Sequence, residues 1–100
     1  MYPIVENVLI GQILCASWGY EQTNVDFYIV TKQTDKMVEV VPIACEKQYT
    51  GDMYGMCTPV PDKIIGVPIR RRFKNGYIKV CSYAWAKMWN GMPQTFTEYA

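Results

Sequence analysis

The chain has 100 residues, of which 50% are hydrophobic and 14% aromatic, and its formal net charge is +1. This composition predicts one folded domain over residues 1–100 and disfavours intrinsic disorder. The near-neutral charge argues against binding nucleic acid by charge alone, and the absence of histidine excludes Ser-His-Asp catalysis, Cys-His catalysis and imidazole metal sites within one chain.

No stretch of the sequence is typical of a membrane span or of a signal peptide. The most apolar segment, 8–16, is too short to cross a bilayer, and residues 1–7 lack a basic start followed by a long apolar run. We therefore expect a cytoplasmic protein in a reducing compartment. Its four cysteines are expected to stay reduced: Cys15, Cys45, Cys57 and Cys81.

The first half of the chain predicts a strand followed by a β-hairpin. Residues 8–18 read as a strand, and a polar loop follows over 17–24. From Val25 to Val30 the side chains alternate between two faces, which indicates a strand with one face toward the core. Residues 37–43 form its partner strand after a turn at 34–36.

The middle of the chain is predicted to be irregular. Residues 44–62 contain two glycines and two prolines. A loop of that length in a compact domain is usually functional, mobile or both. A single helical turn over 63–65 is expected to follow it.

The last third of the chain again predicts strands. Asn75-Gly76, between residues 68–74 and 77–83, is the favoured two-residue hairpin turn, because both turn positions need a positive φ. Residues 84–89 fit either a continuing strand or one helical turn, and a last strand is predicted over 94–99.

Five or six short strands, separated by Gly, Asn and Pro, predict an all-β domain. Apolar residues do not recur with helical spacing over three turns, so at most one short helical turn is expected. Closing the sheet removes its exposed edges, which favours a compact SH3-like barrel. An oligonucleotide-binding (OB-type) barrel is the alternative.

Residues 17–28, SWGYEQTNVDFY, carry the most distinctive pattern in the chain. Together with the basic strand Arg70–Arg72 and the segment MWNGMP at 88–93, this pattern resembles a family of small phage- and prophage-encoded proteins with the signature S-W-G-Y-(E/D)-Q-T-N-(V/I)-D-F-Y. The resemblance covers most of the chain from Val8 onward. It implies a setting, the bacterial cytoplasm during infection or lysogeny, and no particular reaction.

The signature stretch supplies the first candidate binding surface, because aromatic and polar side chains crowd at a junction between loop and strand, where recognition residues collect. These residues are Trp18, Tyr20, Glu21, Gln22, Asn24 and Asp26. In the structural alternative, Trp18 fills the core and Asn24 caps a turn. No nucleophile, phosphate-binding loop or acidic metal motif accompanies the two carboxylates, so no enzyme is predicted.

The second candidate surface is basic. It consists of Arg70, Arg71, Arg72, Lys74 and Lys79. In a strand, Arg70 and Arg72 share one face with Lys74, whereas Arg71 points to the other face. Such cations suit phosphates and bases, or an acidic protein surface, and a solvated edge strand protected by its charges is the structural alternative.

The four cysteines offer an alternative zinc site, made of Cys15, Cys45, Cys57 and Cys81. Zinc sites of this kind nearly always contain a close Cys-x-x-Cys pair, and the sequence has none. No metal and no other cofactor is therefore predicted.

The sequence favours a non-enzymatic module that binds a macromolecule. A host or phage protein is favoured over nucleic acid as the partner, because the net charge is close to zero. Within the phage setting, an anti-CRISPR-like inhibitor of a host defence nuclease is the concrete form of this hypothesis. The alternative is a nucleic-acid-binding accessory protein that uses the Arg70–Arg72 hairpin, and no membrane partner is expected.

Overall fold

The computed structural model describes residues 9–19, 22–74 and 76–97, which fold into an antiparallel β-structure. The strands are β1 (Ile13–Trp18), β2 (Asn24–Gln33), β3 (Met37–Tyr49), β4 (Tyr54–Ile64), β5 (Ile69–Arg72), β6 (Tyr77–Cys81), β7 (Ala84–Met88) and β8 (Gln94–Thr97). The predicted all-β class is confirmed. The described residues form eight strands rather than five or six, and they contain no helical turn.

The strands form one sheet in the order β6-β7-β1-β2-β3-β4-β8, and β5 joins it by pairing with β3. Because β3 is 13 residues long, it accommodates two partners in succession. Its residues 37–40 pair with β5, and its residues 43–49 pair with β4. The long β3–β4 hairpin makes the molecule elongated, with principal extents of 52 × 26 × 23 Å.

The central strands are covered on both faces. Side chains alternate along a strand, so Tyr28 and Val30 of β2 face one core while Phe27 faces another. The first core contains Leu14, Ala16, Val30, Val38, Val40, Ile78, Val80, Ala84 and Ala86. The second core contains Cys15, Phe27, Ile43, Cys57 and Phe96. The predicted alternation of β2 is confirmed, whereas the expectation that only one of its faces meets a core is wrong.

The sheet curls around the first core without a continuous backbone ladder to close it. Its facing edges are β5 and β6, which are joined through the backbone at Lys74 and Tyr77. Beyond that point the Arg71 side chain crosses the gap, with Nε 3.0 Å from the carbonyl oxygen of Lys79 and Nη2 3.4 Å from that of Val80. The domain is therefore barrel-like, with an opening between β5 and β6.

The last strand holds the other end of the domain together. β8 pairs with the start of β4 along one edge. Toward β2, the Thr97 amide donates to the Thr23 carbonyl oxygen at 3.0 Å, and the Thr23 amide donates to Thr97 Oγ1 at 2.6 Å. The expected last strand is confirmed as far as Thr97, and residues 98–100 lie outside the described part of the chain.

Residues 44–62 were expected to be an irregular loop, and this expectation is wrong. They form most of the β3–β4 hairpin, and its turn spans only 50–53. Glycine is required at position 55 within β4, because a Cβ there would collide with the backbone carbonyl oxygen of Gln48. The short helical turn expected after this region is also absent, since β4 continues to Ile64.

The basic segment forms a hairpin only at its turn. Lys74 and Tyr77 exchange two backbone hydrogen bonds of 2.9 and 3.0 Å, and Gly76 has a φ of 84°. Asn75 lies outside the described residues. Past the turn the two strands separate, because β5 pairs with β3 and β6 pairs with β7. This separation leaves room for a cleft between them.

Candidate functional site

The cations of the chain are concentrated in one segment. Residues 69–88, from β5 to β7, hold six of the ten Lys and Arg residues and no Asp or Glu, so this segment carries a charge of +6. The other 80 residues hold four cations and nine anions, and they carry −5. The net charge of +1 therefore hides a strongly basic region. Its cations are Arg70, Arg71, Arg72, Lys74, Lys79 and Lys87.

A depression of about 510 Å³ lies where β5 and β6 separate, and we call it the basic cleft. It is lined by Arg71, Arg72, Lys74, Lys79, Cys81, Ser82 and Trp85. None of these side chains is acidic, and Arg72, Lys74 and Lys79 are exposed. An anionic ligand in the cleft would meet favourable charge with no carboxylate among the lining residues to oppose it.

Trp85 forms the aromatic wall of the basic cleft. β7 reads Ala-Trp-Ala-Lys-Met, and its two alanines are buried in the first core while the Trp85 side chain is 54% exposed. Trp85 lies opposite Lys79, whose Nζ is 5.7 Å from the centroid of the indole ring. Tyr77, which is 45% exposed, lies opposite Lys87 on the same face. This outer face of β6 and β7 thus alternates aromatic and cationic side chains.

Arg71 differs from the arginines on either side of it. As the alternation predicts, Arg70 and Arg72 are exposed and Arg71 is half-buried. Besides the bonds to Lys79 and Val80, Arg71 Nη1 donates to the Arg70 carbonyl oxygen at 2.8 Å. Because each of the three guanidinium nitrogens of Arg71 donates to a backbone carbonyl oxygen, we assign it to closing the barrel. The contact role expected of Arg70, Arg71 and Arg72 stays a prediction.

The signature stretch forms a corner where β1 and β2 meet. Trp18 Nε1 donates to Asp26 Oδ2 at 2.6 Å, and the indole centroid is 5.0 Å from that of Tyr83. Asn24 Nδ2 donates to the Trp18 carbonyl oxygen at 3.5 Å. Tyr83 directly follows Ser82 of the cleft lining, so this corner and the basic cleft are neighbours. The bonds within the corner support the structural interpretation of its polar residues.

The remaining residues of the signature add little to this corner. Gln22 Nε2 donates to Asn24 Oδ1 at 3.4 Å. Tyr20 and Glu21 lie outside the described residues. The binding role of these residues stays a prediction.

The four cysteines do not converge on one point. Cys15, Cys45 and Cys57 lie around the second core, whereas Cys81 lines the basic cleft. Cys57 is fully buried, and its Sγ donates to the Gln94 carbonyl oxygen at 3.3 Å. Burial, and then the neighbouring Cys45, raises the pKa of the Cys57 thiol to about 11.

This raised pKa predicts an alkaline loss of stability. A thiol whose pKa is higher in the folded state contributes stability that is complete below its ordinary value of 9.0 and is lost as the pH rises toward about 11. Tyr28 extends the loss, since burial and then Asp26 raise its pKa from 10.0 to about 12. We expect urea unfolding to give a constant free energy up to pH 9.0 and a falling one above it.

Two cysteine variants test the source of this effect. Burial also raises the pKa of the Cys15 thiol from 9.0, so the onset should stay near 9.0 in Cys57→Ala, but this variant should lose less free energy between pH 9.0 and about 11 than the unchanged protein does. The half-buried Cys45 provides the matched Cys45→Ala control, which should keep most of the alkaline loss because burial, the main cause of the raised Cys57 pKa, remains. An undiminished loss of free energy in Cys57→Ala would assign the alkaline effect to other groups.

Three further findings bear on function. Across residues 9–19, 22–74 and 76–97, no group of three or more Cys, Asp or Glu side chains is arranged to hold a metal ion. The same residues include no helix that is long and apolar enough to cross a membrane. Comparisons with models of protein families, with curated proteins and with solved structures give no match to this chain.

Proposed function

We propose that this chain is a non-enzymatic module that binds nucleic acid through the basic cleft. The observation that carries this proposal is the arrangement of Arg72, Lys74 and Lys79 around a concave surface with no acidic lining residue. Contacts with phosphates supply most of the affinity in sequence-independent nucleic-acid binding. In the phage or prophage setting that the signature implies, the ligand would be nucleic acid of the phage or its host.

The cleft suits a nucleic acid better than an acidic protein surface. Either partner can contact the cations, and the bases of a nucleic acid can also stack on an exposed aromatic side chain beside them. Trp85 is such a side chain, and it lies among the cations that line the cleft. The concave shape of the cleft also favours a narrow backbone over a flat surface.

A protein partner is the competing proposal, and one observation favours it. Tyr49, Met53 and Tyr54 are all exposed at the tip of the β3–β4 hairpin, outside the basic segment. Aromatic and methionine side chains are enriched where proteins contact one another. The inhibitor of a host defence nuclease predicted from the phage resemblance would use a surface of this kind.

The dependence of binding on salt tests the nucleic-acid proposal. With three or four phosphates neutralised, a plot of log K against log salt concentration should have a slope of about −2 to −3 for an unpaired oligonucleotide. Fluorescence anisotropy with a labelled oligonucleotide measures this slope, and polyglutamate serves as an acidic competitor of similar charge. If no oligonucleotide binds at low salt, or if polyglutamate displaces it at equal charge concentration, the nucleic-acid proposal is wrong.

A further inference from the structure

We propose that the basic cleft is specific for single-stranded nucleic acid and that one unpaired base stacks on Trp85. This inference rests on the proposed function and adds the form of nucleic acid that the cleft selects. Three features of the cleft carry it: the exposure of the indole ring, the lysine that covers it, and the cations that flank it.

The indole ring of Trp85 has a large accessible surface, and this exposed part does not pack in the core. Trp85 is 54% exposed, whereas the neighbouring alanines of β7 fill the first core in its place. Trp18 and Trp89, in contrast, donate their indole N–H groups to Asp26 and to the Met92 carbonyl oxygen. Trp85 is therefore the tryptophan of this chain whose ring is placed for an external partner.

The Lys79 ammonium, which contacts the indole ring, can exchange this contact for one with a phosphate. Lys79 Nζ lies 5.7 Å from the indole centroid, a cation–π contact that is weak at an exposed position. A phosphate entering the cleft would offer this ammonium a charge-assisted hydrogen bond in place of its contact with the ring. The indole face that Lys79 leaves would then be open to the base attached to that phosphate.

The need for a free base face makes the cleft selective for unpaired strands. In a duplex both faces of an internal base are already stacked, so the base must leave the helix before it can reach an aromatic side chain. In a single strand the bases are accessible, and every base offers a π-face regardless of sequence. The flanking Arg72 and Lys74 then follow the backbone on either side of the stacked base.

The test compares unpaired and duplex oligonucleotides on Trp85 variants of the full chain. The ligands have about 12 nucleotides or base pairs, within the site size of small β-barrels, and are made as DNA and as RNA. Trp85→Ala should weaken binding to the unpaired strand about tenfold, and Trp85→Phe, which keeps an aromatic ring, should restore most of it. The matched control is Tyr54→Ala, which removes an aromatic side chain of similar exposure, 51%, that lies on β4 beside β8 and does not line the cleft.

The outcomes separate this inference from the function on which it rests. If Trp85→Ala binds the unpaired strand as tightly as the unchanged protein does, or if the duplex is bound more tightly, stacking is wrong while nucleic-acid binding stands. If neither form binds at low salt, both proposals fall. Quenching of tryptophan fluorescence by the unpaired strand, present in the unchanged protein and lost in Trp85→Phe, supports the stacked base directly.

Discussion

Replacing Arg72, Lys74 and Lys79 together by serine should weaken binding to an unpaired oligonucleotide roughly 100-fold near about 0.1 M salt. Each phosphate that a single strand loses as a contact removes about 0.7 of a counterion, so three lost contacts lower log K by about 2 at this salt concentration. The slope of log K against log salt should flatten by the same amount. Anisotropy titrations at several salt concentrations measure both quantities.

A second triple variant controls for net charge. Lys32, Lys36 and Lys63 are exposed and lie outside the segment from β5 to β7. Replacing them by serine gives the same net charge, −2, as the cleft variant, since each removes three positive charges from +1. Only the cleft variant should lose most of its affinity. Equal losses in both variants would mean that binding depends on total charge and that the cleft has no special role.

The net charge of the whole chain does not reveal the basic cleft. A net charge of +1 favours a protein partner in the sequence analysis, and this total includes six cations from β5 to β7 that are offset by carboxylates elsewhere in the chain. The arginines and lysines of the hairpin were predicted correctly as a basic group. Trp85 is not part of that predicted group, because residues 84–89 fit two structures. The alternation of alanine with larger side chains is the sequence signal for an outward-facing tryptophan.

The fold was predictable where side chains alternate and was missed where glycine and proline occur inside strands. The hairpin of β2 and β3 and its turn at 34–36 are confirmed. The long continuation of β3 and β4 was predicted as a loop, because Gly55 and Pro59 are typical of loops. In the folded domain Gly55 is required by the close approach of the Gln48 carbonyl group, a contact between strands that the local sequence does not reveal.

The pairing partners of β5 and β6 also could not be predicted from the local sequence. The Asn75-Gly76 turn predicts that β5 and β6 pair along their length, as in most hairpins with this turn. Instead, β5 pairs with β3 and β6 pairs with β7, and a cleft opens between β5 and β6. Whether two adjacent strands pair or separate is decided by the competing edges that the rest of the sheet offers.

Arg71→Ala should lower the free energy of unfolding by about 3 kcal/mol, since it removes two charge-assisted hydrogen bonds across the gap between β5 and β6. For a domain of this size the melting temperature should fall by roughly 15 °C. Thermal and urea unfolding measure the loss. Arg71→Lys keeps the charge but cannot reach both the Lys79 and Val80 carbonyl groups with a planar fork, so it should recover less than half of it.

Arg70 provides the matched control for this prediction, because it precedes Arg71 on β5 and its side chain is exposed. Arg70→Ala removes the same charge and should change stability by no more than about 0.5 kcal/mol. If the two alanine variants unfold alike, Arg71 does not hold the barrel closed. If only Arg71→Ala is destabilised, the guanidinium of Arg71 joins β5 and β6 in place of the backbone hydrogen bonds that join strands elsewhere in the sheet. The cleft then exists because a side chain replaces those backbone bonds.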